Sequence, residues 1–118
     1  MSGIVSWNLQ LSVNEDQLET FRGLMAEMVE STQAEPGALA YDWFLSEDQT
    51  QCHIYERYAD AEAVMAHLGA FGTKFAERFL ACVTPTAFHV YGNPEAEARE
   101  VFDGFGAVYF GPFGGFSR

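Results

Sequence analysis

Basic residues are scarce in this chain. Six lysines and arginines stand against seventeen aspartates and glutamates, for a formal net charge of −11. The six, Arg22, Arg57, Lys74, Arg78, Arg99 and Arg118, are scattered singly. No positive patch is available to neutralise phosphates, so neither nucleic acid nor an anionic membrane is an expected partner. Cysteine is nearly as rare. Cys52 and Cys82 supply no disulfide framework, fit a reducing compartment and read as small buried hydrophobes rather than reactive thiols. There is no long apolar run, and the segment from Met1 to Asn8 has no basic start. A transmembrane helix and a signal peptide are therefore not expected, and the cytoplasm is the expected location.

Several motifs of chemistry are also missing. The three histidines, His53, His67 and His89, show no metal-binding spacing and no carboxylate cluster beside them. No glycine-rich phosphate loop follows a strand, and no serine or cysteine sits in a nucleophile elbow. No metal and no nucleotide or flavin cofactor is expected from the spacing.

What is present is an ample apolar supply, 48% hydrophobic and 15% aromatic over 118 residues. That is enough for one domain with a single core spanning residues 1–118. From Ile4 to Val13 the chain alternates, with Val5, Trp7, Leu9, Leu11 and Val13 on one side and Ser6, Asn8, Gln10 and Ser12 on the other, as a strand does. Asn14 is placed to cap a helix, with Gln17 at the capping-box position and an apolar stripe of Leu18, Phe21, Met25, Met28, Val29 and Thr32. Pro36-Gly37 ends that helix. Ala38 to Ser46 forms a second strand, and a short polar turn returns the chain as a hairpin into Gln51–Tyr58.

Asp60 then caps a helix whose stripe is Val64, His67, Leu68 and Phe71. That helix continues, bent or broken near Gly72, to about Cys82. Pro85 forbids further helix, and Thr86 to Tyr91 reads as a fourth strand. The order is βαββαβ, the ferredoxin-like α+β plan, with a core over residues 3–92. One sheet face is left uncovered, and the apolar row of Trp7 is expected to lie on it and to pair with a second copy in a homodimer. Asn93-Pro94-Glu95 starts a further helix reaching to about Asp103. Four of the eleven phenylalanines, Phe105, Phe110, Phe113 and Phe116, fall in the last fourteen residues, and this tail is expected to dock as an extra strand or arm.

A glutamate on a strand and a histidine on an apolar helical stripe are expensive placements. Glu56 and Tyr58, if turned toward the helices with Ile54, meet His67 in the layer between. Two readings stand: a structural pair satisfied by mutual hydrogen bonds, or the polar end of a small aromatic-lined cavity that orients a flat substrate.

Glu35-Pro-Gly37 before a strand, then Tyr55-Glu56-Arg57-Tyr58, then Ala63-Val-Met-Ala-His67, resembles the antibiotic biosynthesis monooxygenase domain, a family that includes quinol monooxygenases, over roughly Ile4 to Tyr91. The resemblance implies a dimeric α+β barrel and oxygen insertion into a small aromatic or quinol without metal or flavin. By position, Tyr58 stands for a pocket tryptophan, Arg78 for a pocket arginine and Asn8 for a pocket asparagine. Ile54 replaces an asparagine and Val64 a tyrosine of the anthrone-oxidising members. Glu77 falls near the axial histidine of the haem-degrading branch, so haem cleavage is not implied. The expected site has His67, Glu56 and Arg78 as catalytic groups, with Asn8, Tyr58, Trp43 and Phe75 binding the substrate. The competing expectation is a non-catalytic dimer that binds a small metabolite or serves as a structural module.

Overall fold

The structure, a computed structural model, describes residues 3–118; Met1 and Ser2, where a signal peptide would begin, lie outside the described residues. The elements in order are β1 (Val5–Val13), α1 (Leu18–Gln33), β2 (Ala38–Leu45), β3 (Gln51–Tyr58), α2 (Ala61–Lys74), α3 (Ala76–Cys82), β4 (Val83–Tyr91), α4 (Ala96–Asp103) and β5 (Val108–Phe110). The strands form one open sheet in the order β2-β3-β1-β4-β5. All neighbours are antiparallel except β5, which adds to β4 in parallel. The ferredoxin-like α+β plan thus holds, and part of the aromatic tail is its fifth strand.

Register decides which residues share a face, because directly opposed residues on adjacent strands point the same way. Trp7 pairs with Glu56 on one side and Val90 on the other, and Glu56 pairs with Tyr41. The next row joins Leu9, Ile54, Trp43 and Phe88, and on the other side Val5 meets Tyr58. These rows face the helices, and Trp7, Leu11, Ile54 and Tyr58 are all buried.

The expectation that Trp7's row lies on the uncovered face is therefore corrected. The open face carries the other row, Ser6, Asn8, Gln10 and Ser12, with Tyr55, His89 and Tyr91 beside it. The reason is supply. The helices bring large apolar side chains, Phe21, Leu24 and Met28 from α1, Val64 from α2, Phe79 from α3 and Phe102 from α4, and these can be buried only against the apolar row.

Local signals behave unevenly. Asp60 caps α2 as its position suggests, accepting from the Ala63 amide at 2.8 Å. Asn14 does not cap α1. Its side chain instead donates to Ala81 O and accepts from Thr84, tying β1 to the start of β4, and α1 begins at Leu18 without a side-chain cap. β4 starts at Val83, two residues before Pro85. The proline is tolerated because the β1–β4 register shifts there, Gln10 pairing Ala87 and Leu11 pairing Pro85. The α2–α3 break falls at Phe75, and α4 runs to Asp103 before Gly104. Beyond β5, Phe113 and Phe116 are exposed.

Candidate active site

The row Tyr41–Glu56–Trp7 sets a carboxylate at the centre of the covered face with an aromatic on each side. α2 lies above it and presents His67, held at that height by the buried Val64 one turn earlier. The His67 Nε2 lies 3.0 Å from Glu56 Oε1. Tyr58 donates its hydroxyl to the same oxygen at 2.7 Å. On the other side of the imidazole, Nδ1 lies 3.2 and 3.3 Å from the two oxygens of Glu35.

Glu35 arrives from the turn between α1 and β2. That turn closes against α2 because Gly37 has no side chain: a Cβ there would come within 2.4 Å of the Ala63 Cβ. The histidine is thus bracketed by two carboxylates, one inside and one at the edge.

Aromatic rings box the polar cluster. Trp7 stacks on Tyr58 at 4.8 Å between centroids, Tyr58 lies 4.9 Å from the His67 ring, and Tyr41 meets that ring edge-on at 5.5 Å. Burial by itself lowers the pKa of His67. The hydrogen bond and charge of Glu56, and then the charge and hydrogen bond of Glu35, outweigh it, and the net displacement is upward. Burial, followed by the charge of Glu56, pushes the phenols of Tyr41 and Tyr58 far up, so both stay protonated donors.

Next to the cluster is a cavity of about 40 Å³. Trp7, Leu9 and Ile54 of the sheet, with Phe79 and Phe102 from the helices, make it apolar, and Glu56 and His67 are the carboxylate and imidazole on its wall. Leu68, Phe71 and Phe105 also line it and are only half-buried, which puts its mouth between α2 and the turn after α4. An apolar cavity of roughly 150 Å³ accommodates benzene, whereas about 10–15 Å³ on the same measure holds one water molecule. The cavity therefore suits a molecule of a few heavy atoms, and a ring enters only if Phe71 and Phe105, 6.2 Å apart between centroids, separate.

The sequence-based site residues divide. Glu56, His67 and Tyr58 come together as expected from their shared face. Asn8 points to the opposite, open face, where its Oδ1 is buried without a hydrogen-bond partner among the described residues. Arg78 lies on the outer surface of α3, paired with Glu27 at 3.1 Å. Phe75 is buried at the α2–α3 junction beneath the Arg78 guanidinium, outside the cavity lining. Trp43 shares the covered face but lines a separate outer groove beside α1, with Phe21 and Met25.

Three residues went unassigned in the sequence. Glu35 sits in a turn with no periodicity, Tyr41 reads as one more aromatic of an alternating strand, and Phe102 lies in the C-terminal helix. The one available signal was the buried-looking histidine itself, which needs a partner at each ring nitrogen.

A family model for antibiotic biosynthesis monooxygenases matches residues 4–84. The chain belongs to this family. Of the cavity's walls, Phe88, Phe102 and Phe105 lie outside the matched segment. A search of curated protein sequences finds no match. Among solved structures, MupZ from Pseudomonas fluorescens is similar over the whole chain, with 27% identity, a TM-score of 0.86, and 100% of this chain and 91% of that one covered. Rv0793 from Mycobacterium tuberculosis is 24% identical with a TM-score of 0.67, covering 78% of this chain and 96% of that one. SnoaB from Streptomyces nogalater, a cofactor-independent oxygenase, is 14% identical with a TM-score of 0.67, covering 80% and 97%. The last two share the fold. The likeness to MupZ extends through α4 and the tail.

Proposed function

We propose that this family member is a monooxygenase that oxidises a small aromatic or quinol-type substrate with dioxygen and without a bound metal or flavin, acting as a homodimer. The observation that carries the reading is Glu56 and His67, both buried and 3.0 Å apart, on the wall of an otherwise apolar cavity. The shared fold of SnoaB, a cofactor-independent oxygenase, supports it.

In this reading Glu56 takes a proton from the activated C–H or O–H of the substrate, and His67 shares it. The resulting anion, held dry against Trp7 and Phe102, passes electrons to dioxygen and forms a carbon–oxygen bond. One oxygen atom stays on the substrate and the other leaves as water. A ring methylene, for example, gives up both hydrogens to that water and becomes a ketone carbonyl, so one methylene and one dioxygen yield one carbonyl and one water. Tyr41, kept protonated, is the phenol on the cavity wall nearest the developing charge, while Tyr58 keeps its hydroxyl on Glu56. The cavity has room for dioxygen, and the ring displaces Phe71 and Phe105.

The dimer is read from the open sheet face. Tyr91, Val108 and Phe110 are exposed there, beside the Asn8 oxygen, which has no partner among the described residues, and a second copy would cover them. Light scattering of the purified chain tests this, with a monomeric mass as the refuting result.

The activity is tested with an oxygen electrode on metal-free protein, using reduced menadione and anthrone as substrates. Oxygen uptake above the uncatalysed rate, reduced by about 10²–10⁴-fold in Glu56→Gln, is the expected result. Binding of these compounds with no oxygen uptake would support a non-catalytic binder instead.

A further inference from the structure

The Glu35 side of His67 has no task in the oxygenase reaction as written. An outer crevice of about 300 Å³ is lined there by Glu35, Pro36, Gly37, Asp60, Ala63 and Ala66. One imidazole on the inner cavity's wall therefore links the two regions, with Nε2 toward Glu56 at the cavity and Nδ1 toward Glu35, which lines the crevice. Access to water is graded along this line. The Glu56 and His67 side chains are 6% and 7% exposed, and Glu35 is 18% exposed. The other titratable groups around the ring are Tyr41 from β2 and Tyr58 from β3, both phenols, while β1 contributes the Trp7 ring.

We propose that Glu35 is the outer station of a proton path, Glu56–His67–Glu35, which connects the inner cavity to water in the crevice. The proposal rests on the oxygenase reading for its purpose, not for its geometry. A proton taken from the substrate has to be held away from the anion until the second oxygen departs, and an imidazole between two carboxylates can carry it toward water and back without admitting water to the cavity.

The balance is simple. From the neutral ring protonated at Nδ1, the proton leaves the substrate for Glu56 and passes to His67 Nε2. The Nδ1 proton then passes to Glu35, which exchanges it with water. When the second oxygen atom departs from the substrate as water, a proton returns by the reverse route, which also restores the starting tautomer of His67. Nothing is oxidised or reduced on the path. Glu35 is a positioning and relay residue and does not touch the substrate.

The path is tested first without turnover. Exchange of the His67 ring protons with solvent is followed by NMR in the full chain, in Glu35→Gln and in Glu35→Ala. Exchange should slow by about tenfold or more in both variants, and in Glu35→Ala it should recover in proportion to added formate, a small carboxylate that fits the crevice. A glutamate that merely braces the ring would give no formate dependence. Exchange rates unchanged in both variants, or slowed rates that formate leaves untouched, overturn the path.

Turnover is tested second. With reduced menadione, the Glu35 variants should lose kcat with KM unchanged and gain a solvent isotope effect, and formate should restore Glu35→Ala. Slowed, formate-dependent exchange in a protein that consumes no oxygen would leave the path standing and remove the oxygenase reading. Normal kcat in the variants would remove the path and leave the oxygenase.

Discussion

The two faces of the sheet are built from the same strands and differ in what they can hold. Beneath the helices, Glu56 and His67 are charged or chargeable groups in an aromatic enclosure, and their partners are supplied by other buried groups. On the open face the polar row of β1 stands beside half-exposed aromatics, and the Asn8 oxygen lacks a partner among the described residues. Burial of a polar group is costly unless it is fully satisfied. The Glu56–His67 cluster of the covered face has met that demand within the chain, as a site must, although the Trp43 Nε1 on the same face has no hydrogen-bond partner among the described residues. The open face has not, which fits a surface completed by another molecule.

The sharpest way to break the contrast is to remove a wall of the covered face. Phe102 is 1% exposed and packs edge-on against Trp7 at 5.1 Å. Phe102→Ala should destabilise the chain by about 3–5 kcal/mol, the usual cost of deleting a buried ring and leaving its cavity. On the open face, Phe110→Ala should cost under about 0.5 kcal/mol in dilute protein, since exposed positions are tolerant. Urea unfolding compares them directly. A loss for Phe110→Ala that grows with protein concentration would report the second copy docked there, and equal losses at all concentrations would erase the distinction between the faces.

A smaller effect follows from His67. Folding raises its pKa above the ordinary value of 6.5, so the folded chain binds more protons than the unfolded one between that value and the raised one. The stabilisation is complete below about 6.5 and is lost as pH rises through the folded-state pKa, at about 1.4 kcal/mol for every pH unit that separates the two values. Thermal unfolding from pH 6 upward should show a falling Tm. In His67→Gln this component should be missing. A Tm that rises across the same window would mean that burial, rather than the two glutamates, governs the ring.

Much of this architecture was legible from spacing. The alternation of β1 and the Asp60 cap follow from local chemistry that tertiary contacts do not override. A break in the second helix and a helix after Pro94 were also expected, but Gly72 lies inside α2 and the break falls at Phe75, and α4 starts at Ala96 after Glu95 without a side-chain cap. The period of two separated Trp7 from Asn8 but could not say which side the helices cover. That depends on register across β3 and β4, a long-range property. The pairing of Glu56 with His67 was legible because both are costly on apolar faces, whereas Glu35 sits in a turn where a glutamate costs nothing. Its position becomes meaningful only when Gly37 lets the turn close on Ala63.

Arg78 gives the smallest and most discriminating effect. The family resemblance placed a pocket arginine at this position, but α3 restarts after the break at Phe75, and this turns Arg78 outward onto Glu27. Both side chains are more than half exposed, 53% and 56%. An ion pair in water loses most of its Coulomb attraction to the solvent, and such pairs contribute about 0–1 kcal/mol. Arg78→Ala should therefore change stability by no more than that, with the deficit shrinking further in high salt, and should leave oxygen uptake within about twofold of the parent chain. A loss of uptake comparable to that of Glu56→Gln would mean that α3 turns during the reaction and carries Arg78 to the cavity, and the line drawn between the enclosed cluster and the outer surface would have to move.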